Sequence, residues 1–163
     1  MVRRTWAPRG QTPLLRAWDR HDRLSGIRAV TRAPRRRRLG LYGSAQTEKV
    51  RGPHGVSFLR AVRRHVRGKL GVILDRWNVH RSKVMRKDFD RHASRIRVEW
   101  LPAYAPDLNP TEQVWNHTKY SDLANFMPAT LEDLRTPVAA SIGQPRRPSD
   151  LLRSFFQTAK LKL

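Results

Sequence analysis

The sequence predicts an α/β domain built on a mixed sheet, and three observations carry that expectation. Leu70–Leu74 (LGVIL) is a short, continuous apolar run, the pattern of a strand covered on both faces. Arg95–Trp100 alternates, with Ile96, Val98 and Trp100 on one face, as a half-buried strand does. Segments of helical period lie between and after these strands. The resulting order is strand, strand, helix, strand, helix, strand, helix, which is the grammar of an α/β sheet with helices on its faces.

The elements follow in order. Leu24–Thr31 and Arg37–Tyr42 read as two antiparallel strands, and Ala33–Arg36 between them reads as a turn because Pro34 presets the backbone. Gly55–Arg67 is an amphipathic helix. Phe58, Leu59, Val62 and Val66 share its apolar side, and Arg60, Arg63, Arg64 and Arg67 share the other. Ser82–Ala93 is the next helix, with Ser82 as its N-cap and Met85, Phe89 and Ala93 turned inward. After a proline-rich loop come helices near Asn109–Tyr120, Leu131–Ile142 and Asp150–Ala159. The rings of Trp77, Trp100 and Trp115 flank or lie on these elements and read as core.

Length and composition narrow the function classes. At 163 residues the chain is expected to form one domain, with Gly143–Pro148 (GQPRRP) as a short linker before the last helix. There is no cysteine, which excludes disulfides, thiol catalysis and Cys-based zinc sites. No apolar run approaches the length of a membrane span, and MVRRTWAPRG lacks the apolar core of a secretion signal. The expectation is a soluble, cytoplasmic protein. The net charge of +21 points to a polyanionic partner, most simply nucleic acid. Residues 1–70 hold 19 basic and 3 acidic side chains, so the attraction to phosphate is concentrated there. The run Arg35, Arg36, Arg37, Arg38 and the helical face Arg60, Arg63, Arg64, Arg67 are the candidate DNA contacts. Each is equally compatible with a solvated surface.

Most of the acids lie in the later part of the chain. Asp75 ends the LGVIL strand, and ligands gather at the carboxyl edge of open α/β sheets. The competing reading is an aspartate that only accepts hydrogen bonds from the next loop. His80 follows five residues later and could lie close to Asp75, although a lone histidine is more often structural or solvent-facing than catalytic. Glu112 sits in Leu108–Glu112 (LNPTE), where Asn109 suits an N-cap and Pro110 the first helical position. Glu112 could therefore close a capping box on the Asn109 amide, or turn away to bind a cation. Six histidines are scattered with no metal-binding spacing such as HExxH.

Two strings are distinctive: VILDRWNVHRSK (72–83) and VEWLPAYAPDLNPTEQVW (98–115). Together with RRTWAPRGQTP (3–13), they resemble the catalytic core of mariner-superfamily DDE transposases, in the bacterial insertion-sequence branch. The resemblance runs from Arg3 to about Lys162. It implies a ribonuclease-H-like fold and three acids holding two Mg2+ (or Mn2+) ions. The second acid matches Asp75 and the third Glu112, with His80 and Asn109 in support. It also implies DNA transposition by strand cleavage and transfer at element ends, with transposon-end and target DNA as partners, a possible homodimer, and a nucleoid-associated location. Carboxylates serve this chemistry because Mg2+ prefers hard oxygen ligands. A pair of ions about 3.5–4 Å apart activates the attacking hydroxyl and stabilises the leaving oxygen.

The family's first acid belongs on a first, central strand upstream of RTWAPRG. No Asp or Glu precedes Asp19, and neither Asp19 nor Asp22 matches the motif position. The expectation from the resemblance is a catalytic domain incomplete at its N-terminus, without that strand and without the helix-turn-helix region, and inactive by itself. The alternative from the opposite class is a basic nucleic-acid-binding protein with no catalytic role.

Overall fold

The computed structural model describes residues 7–11, 23–33, 38–66, 68–143 and 149–161. Strands β1 (Ser25–Arg32) and β2 (Leu39–Gln46) form an antiparallel hairpin, with Val30 opposite Leu41 and Ser25 opposite Gln46. Helix α1 (Gly52–His65) leads to β3 (Leu70–Leu74), and α2 (Lys83–Arg91) crosses to β4 (Ile96–Trp100). β3 and β4 are parallel, with Leu70 opposite Ile96 and Leu74 opposite Trp100. A 3-10 turn over Pro106–Leu108 precedes α3 (Pro110–His117), which runs into a π-helical turn over Thr118–Asp122. Helices α4 (Leu131–Gly143) and α5 (Ser149–Thr158) complete the chain. Among the described residues no helix is long and apolar enough to cross a membrane.

The local causes are mostly those read from sequence. Ser82 caps α2 by accepting a hydrogen bond from the Met85 amide. Asn109 Oδ1 caps α3 by accepting from the Thr111 amide at 3.1 Å, with Pro110 in the first turn. α1 starts three residues earlier than expected, because Pro53 fits its first turn and the Arg51 amide donates to His54 Nδ1. α2 stops at Arg91, so Ala93 is exposed rather than inward. The expected Gly143–Pro148 linker falls almost wholly on residues 144–148, outside the described residues.

The sheet departs from expectation. The strands form two separate two-stranded sheets, β1–β2 and β3–β4, and no described strand joins them. Each sheet organises its own apolar core. The hairpin packs Leu41 with Val114 of α3 and with Leu152 and Phe155 of α5. The parallel pair packs Leu70, Val72, Leu74, Ile96 and Val98 against Leu59 of α1 and Met85 and Phe89 of α2. A cavity of about 590 Å³, lined by Tyr42, Val50, His54, Phe58 and Val62 among others, lies between the hairpin and α1.

Helix α4 rests on β2 through a close backbone approach. A Cβ at Gly43 would stand 2.6 Å from the carbonyl oxygen of the fully buried Ile142. The Gly43→Ala variant is therefore expected to lose about 1–3 kcal/mol in urea unfolding, the cost of forcing packed backbone apart. Gly71→Ala, where the added methyl meets nothing within 4 Å, is expected to unfold at or slightly above the parent midpoint.

Candidate active site

Asp75 emerges where β3 ends. The ladder continues one step past the strands, because the Leu101 amide donates to the Leu74 carbonyl at 2.8 Å. Arg76 Nε donates to the Leu101 carbonyl at 3.2 Å, tying the loop after β3 to the loop after β4. Asp75 thus leaves a pinned strand end into the loop that leads to α2.

Its carboxylate is held on one side. Asp75 Oδ1 accepts from the Trp77 amide at 3.0 Å and from His80 Nδ1 at 2.8 Å. The reading of Asp75 as a hydrogen-bond acceptor for the next loop is therefore correct, but it accounts for only one carboxylate oxygen. Oδ2 has no partner among the described residues, and the side chain is 41% exposed. The His80 hydrogen bond is the largest influence on its acidity. Partial burial opposes it and the Trp77 amide adds to it, and the net effect holds the carboxyl below the usual aspartate range. Asp75 is an anion at neutral pH.

Glu112 lies in the first turn of α3 and is partly buried. The capping box that would have occupied it does not form. The Asn109 amide donates instead to the Pro106 carbonyl at 2.9 Å, because the 3-10 turn delivers that oxygen first. The Glu112 carboxylate has no hydrogen-bond or ionic partner among the described residues. α3 is fastened to the hairpin core by Val114, which is fully buried, and by Trp115, whose ring lies 3.5 Å from the Arg28 guanidinium carbon.

The donor chemistry of these two acids suits a hard divalent cation, since both offer carboxylate oxygens that no side chain claims. Among the described residues no three His, Cys, Asp or Glu side chains gather into a cation cage. Asp75 belongs to the parallel-strand core and Glu112 to the hairpin core. Asp19 and Asp22 lie outside the described residues.

The expected DNA contacts divide. Arg38, Arg60 and Arg64 are exposed, while Arg35, Arg36, Arg37 and Arg67 lie outside the described residues. Arg63 departs from the expectation. Its side chain is only 15% exposed, and it turns to the buried Asp88 of α2 at 3.7 Å, so its charge serves the contact between α1 and α2. Sequence reasoning passed over α2, where Lys83, Arg86 and Lys87 are exposed together. Their three-and-four spacing was the available signal. The aromatic expectation also needs correction. Trp77 and Trp100 are 42% and 40% exposed, and Tyr104, in the loop before α3, is fully exposed with φ of 57°. They flank the free end of a two-stranded sheet, and no described element covers them there.

The family model of the DDE superfamily endonucleases matches residues 1–135. The chain belongs to the DDE superfamily endonucleases. Solved structures share its fold. The Mos1 strand transfer complex aligns with a TM-score of 0.61 at 15% identity, over 98% of this chain and 47% of that one. The Mos1 mariner paired end complex with Mn aligns at 0.62 and 14%, over 98% and 48%. The Mos1 transposase paired-end complex with left transposon end aligns at 0.59 and 12%, over 98% and 47%. This DDE-superfamily chain spans about half the length of those proteins. No curated protein matches its sequence significantly. The fold is therefore that of the Mos1 neighbours, ribonuclease-H-like as the motifs implied, though its strands stand as two pairs.

The Asp75 contacts carry a pH signature. Because the folded carboxyl is more acidic than in an unfolded chain, its contribution is fully present above the unfolded value of about 3.9. It disappears as pH falls through the lower folded value. Urea midpoints of the parent and Asp75→Asn are expected to differ at pH 6 and to converge as the pH is lowered below 4, where the parent carboxyl also becomes neutral.

Proposed function

We propose that this chain is the catalytic part of a transposase, acting in DNA transposition by metal-dependent strand cleavage and transfer at the ends of an insertion sequence. The observation that carries the reading is the DDE-superfamily match together with Asp75, an ionised carboxylate with one oxygen unclaimed at the carboxyl end of β3. Asp75 and Glu112 would supply two of the three acidic ligands. A bound Mg2+ or Mn2+ would supply Lewis acidity at the scissile phosphate. The protein's own part is to hold the two carboxyl groups and keep Asp75 Oδ2 and Glu112 free of competing side chains. The complexes of the Mos1 neighbours with transposon ends, and one with Mn, support DNA and a divalent cation as partners here. The exposed Arg38, Arg60, Arg64, Lys83, Arg86 and Lys87 would meet phosphates. Pairing of two copies would bring two element ends together.

The net charge of +21 equally supports the second reading, a basic nucleic-acid-binding protein without catalysis. Incubation of the chain, joined to an upstream segment that carries the first acid, with supercoiled plasmid and Mn2+ separates the two. Catalysis predicts nicking that needs the metal and is lost in Asp75→Asn and in Glu112→Gln, while both variants still retard DNA. Nicking that survives in either variant contradicts the site, and tight binding with no nicking under any divalent cation favours the second reading. In the same binding assay, Arg60→Ala or Arg64→Ala should lower the slope of log affinity against log salt by about 0.9 for each phosphate that the arginine neutralises. Arg63→Ala should leave that slope unchanged.

A further inference from the structure

His80 is the one side chain that grips the Asp75 carboxylate among the described residues, and its position is built rather than incidental. After Asp75 the chain makes a helical turn: the His80 and Arg81 amides donate to the Trp77 carbonyl at 3.0 and 3.3 Å, and the Ser82 amide donates to Val79 at 3.2 Å. Val79 in this turn is buried beside Gly55 of α1, which anchors the turn to the core. The turn carries the His80 ring back over Asp75, where it is 18% exposed, and the Trp77 ring meets it edge-on at 5.5 Å. The imidazole is thus fixed from the backbone side and from the ring side.

The hydrogen bond assigns the proton. An ionised carboxylate only accepts, so the nitrogen facing Asp75 Oδ1 at 2.8 Å carries hydrogen, and the neutral ring is the Nδ1–H tautomer. Oδ1 then receives two donors, His80 Nδ1–H and the Trp77 amide, while Oδ2 receives none among the described residues.

We propose that His80 is a positioning residue: with the Trp77 amide it occupies Asp75 Oδ1 and so presents Oδ2 alone to a divalent cation. The inference rests on the reading of Asp75 as a metal ligand given above. It adds which oxygen binds, that it binds through a single oxygen, and what aims it. Partners that orient a ligating group in this way commonly govern metal affinity.

The test is Mn2+ titration of the whole chain, following the electron paramagnetic resonance signal of free Mn2+, for the parent, Asp75→Asn, His80→Phe and His80→Asn. Phe keeps a ring against Trp77 and deletes the donor, whereas Asn deletes the ring and places an N–H where Nδ1 stands. The expected result is loss of binding in Asp75→Asn, an affinity about 10–100-fold weaker in His80→Phe, and recovery toward the parent in His80→Asn. If His80→Phe binds like the parent while Asp75→Asn does not, the positioning role is overturned and Asp75 stands as a ligand. If the two His80 variants weaken binding equally, the ring rather than the donor matters, and the proposal is again overturned. If the parent and Asp75→Asn bind alike, the ligand reading fails and the proposal with it. Long-range 1H–15N spectra of the parent give a second readout that needs no variant to fold. A neutral His80 protonated at Nε2 instead of Nδ1 would overturn the proposal outright.

Discussion

The parallel pairing of β3 with β4 is the constraint from which the candidate site follows. Parallel strands need a crossover, and here α2 provides it, so both strands finish at the same edge of their sheet. Asp75 leaves β3 at that edge. The loop that leads to α3, and so to Glu112, leaves β4 at that same edge. Arg76, bonded to the Leu101 carbonyl, holds the two exits together. A single topological choice thus feeds two acids, distant in sequence, from one end of one ladder.

What happens beyond that edge is governed by packing. α3 does not settle on the parallel pair. It joins the hairpin and α5 through Val114 and through the stack of Arg28 on Trp115. Asp75 is therefore carried by one apolar core and Glu112 by the other, with the loop from Leu101 to Asn109 as the covalent bridge. Any cation held by both carboxylates would link the two cores. Metal binding at such a site would then be coupled to the relative placement of the cores. The exposed Trp77, Trp100 and Tyr104 lie in or beside the loops that leave β3 and β4 at that edge.

Much of this was legible in the residues. LGVIL showed a strand, as a short apolar run bounded by polar residues should, but the cover it implied on both faces is not met: Ile73 is 60% exposed, because β3 is one of only two strands in its sheet and no described element packs on that side. Ser82 and Asn109 announced helix starts by their side-chain chemistry, and both cap as expected. The five-residue separation allowed the Asp75–His80 contact, and the turn that delivers it became visible only in the structure. Other features depend on partners far along the chain and leave little local trace. Arg63 shares its helical spacing with Arg60, and only Asp88, on the inward face of α2 beside Met85 and Phe89, distinguishes it. Glu112 has the spacing of a capping box, yet the Pro106 carbonyl reaches the Asn109 amide first. The split of the sheet was hidden for a similar reason. Alternation reports which face of a strand is buried, not which strand lies beside it.

The central claim is that Asp75 and Glu112 belong to one divalent-cation site. Crystals of the chain soaked in Mn2+, with data collected at the manganese absorption edge, test it most directly. The account predicts an anomalous peak at coordination distance, about 2.0–2.3 Å, from carboxylate oxygens of both residues or from a close ion pair that they share. Manganese bound to one of them with the other remote, or bound only elsewhere, would contradict it.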